Sequence, residues 1–240
     1  MTDLSQAFAQ ALALATSADP AFYEIVGLSL RVSSSSAGLA CLLGVPLGAW
    51  LAVSRFRGRG LLIAVVNAAL GVPSVVVGLV VYLVLSRSGP MGFLGILFTP
   101  AAMVVAQTLL IAPMVAALAR EALQDSWAEY RDLFASWGIG FPRAIATLIW
   151  DCRFGLVTIA LAAFGRAIAE VGAVMTVGGN IAGSTRVMTT AVALETSKGD
   201  LPLALGLGIV LLAIVFTVMT LAQLLQQFAW RRFGGSRHGD

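Results

Sequence analysis

The chain has 240 residues, 59% of them hydrophobic and only 11% charged, with a formal net charge of +3 and a mean hydropathy of +0.92. So little charge cannot cover the surface of a soluble globule of this size, which excludes an ordinary soluble enzyme, a disordered chain and a disulfide scaffold. What remains is an all-α integral membrane protein, because the apolar runs are too long and unbroken for the alternating strands of a barrel.

In chain order, residues 1–19 form an N-terminal outer segment. Leu4–Ala15 is apolar on one face but short, which predicts a helix lying in the interface. It does not read as a secretory signal peptide, since it carries Asp3 and the first basic residue is Arg31. Five stretches reach the roughly 20 residues a bilayer core requires: about 20–54, 61–85, 100–119, 154–177 and 201–229. Between the third and fourth lies a polar, aromatic segment, with an amphipathic helix expected over about 121–140. Between the fourth and fifth lies a short, small-residue segment, about 178–200, expected to re-enter the membrane from outside. Residues 231–240 form a tail.

Asp19-Pro20, Thr99-Pro100 and Asp200-Leu201-Pro202 each set a capping residue ahead of a first-turn proline, and so mark the starts of spans one, three and five. Pro46, Pro73 and Pro113 fall inside spans and predict kinks. Small residues such as Gly71, Gly78, Gly165 and Gly172 permit close helix contact. Of the fifteen Lys and Arg residues, ten lie after spans one and five or between spans three and four. Three (Arg87, Arg186 and Lys198) lie on the other side, and Arg31 and Arg166 fall within spans. The positive-inside bias then places the N-terminus outside and the C-terminus in the cytoplasm. These arginines are not a nucleic-acid patch. Cys41 and Cys152 have no metal spacing and read as packing residues.

No phosphate-binding loop is possible, because the only lysine, Lys198, has Ser197 before it where a glycine is required. If ATP drives this protein, the ATPase is another polypeptide. The segment from Arg120 to Trp150 is the natural place for it to dock. Glu129, Arg131 and Asp132 alternate there with Leu133, Phe134 and Trp137, and Gly138 ends the helix. An interfacial helix resting on lipid fits the same pattern. Arg166 and Glu170 stand four apart on an apolar helix, where their side chains meet, and either alone would be costly in lipid. They hold the bundle together or line a pathway. Arg31 could pair with Glu24 or face the pathway, and Ser33–Ser36 could serve only close packing. Asn180, Ser184, Thr185, Thr189 and Thr190 are neutral donors suited to passing an anion without trapping it, or they cap local turns.

Residues 132–151 resemble the coupling motif of ABC-importer permeases, Glu-Ala-Ala, three residues, Gly, nine residues, Ile-x-Leu-Pro. Asp132 stands for the Glu, Leu133-Phe134 for the alanines, Gly138 for the Gly and Leu148 for the Ile, while Trp150-Asp151 replaces Leu-Pro. The run Gly165-Arg166 through Glu170, Gly172-Ala173 and Gly179-Asn180-Ile181, followed by Thr185, Thr189 and Thr190, is similar to the molybdate/tungstate permeases. Five spans, an outward N-terminus and an arginine-rich loop after span one are most like the tungstate branch. The resemblance covers about 20–230. It implies a five-helix, type I importer-like permease domain that is itself non-catalytic and holds no cofactor. ATP and magnesium would sit on a partner ATPase, which contacts Glu129, Asp132, Ala135 and Gly138. It further implies a homodimer, two ATPase subunits, an extracytoplasmic binding protein that delivers tungstate or another oxyanion, and a bacterial or archaeal cytoplasmic membrane. A stand-alone secondary transporter or channel would instead use Arg166 and Glu170 for ion coupling, but the halves show no inverted repeat.

Overall fold

The computed structural model describes residues 20–233, with side chains to residue 228. The interfacial helix expected within 1–19, and the tail beyond 233, lie outside the described residues. No strand forms among those described. The helices are α1 (Pro20–Val53), α2 (Arg59–Ala69), α3 (Ser74–Leu85), α4 (Pro100–Ser136), α5 (Phe141–Asp151), α6 (Arg153–Ile168), α7 (Gly172–Gly178), α8 (Met188–Lys198) and α9 (Leu201–Phe233), with a single 3₁₀ turn at Gly92–Leu94. Pro20 and Pro100 are the first residues of their helices, where a missing N–H costs nothing. Asp200 caps α9 by accepting from the Leu203 N–H at 3.3 Å, whereas Thr99 turns its hydroxyl to the Ile96 carbonyl. Three helices are long and apolar enough to cross a membrane, over Pro20–Val53, Pro100–Ser136 and Leu201–Phe228. Two bent pairs, α2 with α3 and α5 with α6, would bring the number to five if each is one span.

Three elements differ from the sequence expectation. The stretch 61–85 is two helices, because Pro73 sits in extended backbone (φ −61°, ψ 131°) and offers its carbonyl to Val76 and Val77, starting α3 afresh. The helix expected over about 121–140 is the far end of α4. Between Pro113 and Ser136 there is no glycine or proline, so nothing stops the helix that began at Pro100. The stretch 154–177 stops at Ile168 and resumes as α7, for reasons that lie at Glu170. Pro46 and Pro113 are absorbed within continuous helices.

The chain divides into two compact units. One comprises 20–37, 72–109 and 164–217 of the described residues. Its core is built from Val32, Val81, Met103, Ala106, Val174 and Val177, with a second cluster around Phe22, Ile168, Met188 and Leu207. Gly78 lets α3 and α7 touch backbone to backbone, since a Cβ there would lie 2.8 Å from the Ala173 Cα. Gly172 leaves room for the side chains of Val75 and Ser74, which a Cβ there would meet at 2.7 and 2.8 Å.

The other unit comprises 38–71, 110–163 and the end of α9. In it Gly44 and Gly48, four residues apart on α1, face the carbonyls of Ala112 and Ala116 on α4. Cβ atoms at those glycines would fall 2.8 and 2.5 Å from the two oxygens. Around this contact Leu51, Val66 and Ala116 pack together. A separate core gathers Ala49, Val53, Leu123, Phe134, Ala144 and Leu148.

Candidate functional site

The first unit carries its polar chemistry where the helix after Arg153 breaks. Glu170 is 3% exposed and receives the Arg166 guanidinium on Oε2 at 2.7 Å. Its Oε1 accepts the Ala173 N–H at 3.2 Å, within the first turn of α7. Its backbone carbonyl accepts the Thr189 hydroxyl at 2.9 Å. One buried carboxylate thus ties the end of α6 to the start of α7, and a carboxylate at a helix start is favoured by the dipole as well. Arg166 is 44% exposed, so the pair has one face toward the surface of the chain. The Ala167 carbonyl left by the break takes the Glu170 N–H at 3.1 Å and the Gln107 side-chain N–H at 2.9 Å. The Gln107 Oε1 in turn accepts the Ser36 hydroxyl at 2.7 Å. Ser29, Ser33, Gln107, Glu170 and Thr189 line a narrow cleft beside this network.

Gln107 was not singled out from the sequence. Its signal was one amide in the middle of the apolar run 100–119, and a polar group at membrane depth needs a partner. The serines divide by helical face: Ser29, Ser33 and Ser36 are buried, whereas Ser34 and Ser35 are exposed. Ser29 accepts the Met188 N–H at 2.7 Å and so caps α8. Arg31 is exposed, and the pairing with Glu24 is not formed: seven residues separate the two on α1, two full turns of helix.

Most of the expected donors between 178 and 190 are already engaged. Thr185 is fully buried, donates to the Gly178 carbonyl at 2.5 Å and accepts the Ile181 N–H at 3.0 Å. Thr190 accepts the Val187 N–H at 3.1 Å in the first turn of α8. The Asn180 amide donates to the Thr190 carbonyl at 3.2 Å, its backbone is left-handed (φ 51°), and its Oδ1 is buried with no partner. Ser184 is exposed. It lines an open cleft with Glu24, Gly183 and Arg186, the last a residue the sequence reading only counted among outer charges. The Arg186 Nη1 lies 3.9 Å from Glu195, which also holds Lys198 at 3.0 Å.

In the second unit α4 ends in a sharp corner. The Gly138 N–H bonds the Ala135 carbonyl at 3.2 Å, and the Ile139 N–H reaches back to Phe134 at 2.9 Å. Gly138 itself is left-handed (φ 64°). This is the paired closure of a helix end that selects glycine, with Ile139 and Phe134 meeting in the core beneath it. Asp132, Leu133, Ala135 and Trp137 are exposed on the corner, as are Phe141 and Trp150 on α5 beyond it. Asp132 holds Arg131 at 3.0 Å, and Glu129 stands exposed one turn earlier. A helix end that is fixed underneath and apolar, charged and exposed on top can seat in a groove of another protein.

These features belong to an all-helical chain with three to five helices or bent pairs long and apolar enough to cross a membrane. No model of a known protein family matches the sequence. Individual proteins do. The chain is 40% identical over 227 residues to the tungstate uptake system permease protein TupB of Peptoclostridium acidaminophilum, covering 95% of this chain and 100% of that one. It is 42% identical over 204 residues to a probable anion ABC transporter permease protein of Haloferax volcanii, with 82% and 88% covered. It is 30% identical over 229 residues to the molybdenum transport system permease protein ModB of Escherichia coli, with 88% and 96% covered. The chain belongs to the ABC-transporter permease family of oxyanion uptake systems, and within it is tungstate-like.

Proposed function

We propose that the chain is the membrane subunit of an ATP-driven importer that carries an oxyanion, tungstate first. ATP hydrolysis takes place on a separate ATPase, and an extracytoplasmic binding protein delivers the anion. The observation that carries the coupling half of this reading is the corner at Gly138, with Asp132, Leu133 and Ala135 presented on the end of a helix that runs unbroken from Pro100. Two copies of the chain form the pathway. Arg31 and Arg166 support this, since both are exposed on the single chain at positions where lipid would penalise them. Glu170, held by Arg166 and by a backbone N–H, sits at the helix break and serves as a positioning group for the gate. Asn180, Ser184, Thr185, Thr189 and Thr190 shape the outer mouth. Of these, Ser184 is the exposed hydroxyl that an anion would meet.

The test is co-expression with a candidate ATPase and a candidate binding protein from the same organism, followed by uptake of labelled tungstate in competition with molybdate and sulfate. Stable co-purification and uptake abolished by ATP depletion are expected, with tungstate outcompeting the others. Uptake that persists without ATP or without the ATPase would overturn the reading. A stand-alone transporter coupled through Arg166 and Glu170 would instead show that persistence.

A further inference from the structure

The coupling reading leaves one cleft of the second unit unused. It has a volume of about 220 Å³ and is lined by Ser54, Arg55, Arg59, Gln124, Trp127 and Arg131. Three arginines line it and no acidic residue does. Gln124, Trp127 and Arg131 form one stripe of α4, at spacings of three and four. Arg59 is fixed by its Nε donating to the Leu51 carbonyl at 2.8 Å, at the end of α1. It is also the first residue of α2, so the positive end of an 11-residue helix adds to the field. Arg131 also holds Asp132 at 3.0 Å, an ion pair exposed to solvent and therefore weak.

Exposed apolar side chains lie close to these arginines along the chain. Trp50, in the last turn of α1, stacks at 4.7 Å on Phe56, which lies on the connection to α2. Leu61 and Val65, one turn apart on α2, are 72% and 55% exposed. A ligand that suits both parts has a compact anionic head and an apolar chain. Arginine forks match phosphate oxygens, and tryptophan favours the headgroup level of a bilayer.

We propose that this cleft binds the phosphate of an anionic phospholipid, with an acyl chain laid along Leu61 and Val65. The experiment is native mass spectrometry of the full chain, delipidated in detergent and titrated with dioleoylphosphatidylglycerol or dioleoylphosphatidylcholine, with inorganic phosphate as competitor. Phosphatidylglycerol is expected to bind about tenfold or more tightly than phosphatidylcholine and to resist millimolar phosphate. Replacing Arg55 and Arg131 together by Gln should remove that preference. Arg143→Gln, exposed outside the cleft, should leave it intact. Equal binding of the two lipids overturns the proposal. Displacement by phosphate also overturns it, making the cleft a free-anion site. Unchanged binding in a double variant that keeps its melting temperature does so too. Should the double variant fail to fold, the comparison of lipids and phosphate on the unaltered chain decides alone.

Discussion

At Glu170 the arrangement of charge makes an asymmetric prediction. The carboxylate is buried and its partner Arg166 is half-exposed, so removing one side is not equivalent to removing the other. Arg166→Gln leaves a buried carboxylate with the Ala173 N–H and little else, at a cost of about 3 kcal/mol. Glu170→Gln leaves an arginine that can turn outward, and the glutamine oxygen can still accept from Ala173, at a cost of about 1 kcal/mol. Thermal unfolding in detergent should therefore rank Arg166→Gln below Glu170→Gln, with the double variant less damaged than the sum of the two. A reversed ranking would mean that Arg166 has another buried partner. Thr185 is the other residue whose chemistry is local. Thr185→Val deletes a hydroxyl that bridges Gly178 and Ile181 and strands both backbone groups, which should cost about 2 kcal/mol in the same assay.

Among the elements, the corner after α4 is the most sensitive to a small change. A methyl group at Gly138 meets nothing within 4 Å, so space is not what selects glycine there; the left-handed backbone is. Gly138→Ala costs about 1–2 kcal/mol in that conformation and shifts the corner while leaving the core under it in place. The expected outcome is a chain that still assembles with its ATPase but whose ATP hydrolysis no longer responds to substrate-loaded binding protein. Gly138→Asn, which tolerates that backbone region better, should retain part of the response. Normal coupling in Gly138→Ala would remove the corner from the docking surface. At α3 and α7 it is space that selects the residue. Gly78→Val would drive atoms into the Ala173 backbone, and loss of folded protein is the expected result.

For the molecule as a whole, the distribution of charge makes the orientation testable. With Cys41 and Cys152 replaced by alanine, a single cysteine at Arg57 should react with a membrane-impermeant maleimide only after the cells are opened. One at Ser197 should react in intact cells. Both positions are exposed, so access to the reagent depends on the side of the membrane and not on burial. Labelling of Arg57→Cys from outside would overturn the expected orientation, and with it the side proposed for ATPase docking. The largely apolar surface of α9, with Leu212, Phe216 and Phe228 exposed, is consistent with a helix that meets lipid along much of its length.

Much of this protein is determined by its sequence alone, because the controlling forces act locally or through the solvent. Apolar runs of bilayer length and arginines crowded to one side follow from the cost of charge in hydrocarbon. Pro20, Pro100 and Gly138 mark helix ends that depend on a few neighbouring residues. The Arg166–Glu170 pair was legible because helical spacing alone brings i and i+4 together. Contacts between distant segments decided the rest. The Gln107 amide meets the Ala167 carbonyl 60 residues away, and Ser29 caps a helix that begins 159 residues later. Neither pairing has any signal in its local pattern. The same holds for the break after Ile168, which stands because a buried carboxylate, a distant glutamine and a threonine satisfy the backbone groups that the break exposes. It holds as well for Gly44 and Gly48, whose role is visible only against the carbonyls of α4. Of the two roles open to the threonines, passing an anion or capping local turns, the second occupies most of them: a loop at membrane depth must satisfy its own backbone first, and only the folded chain determines which hydroxyls remain to meet an ion.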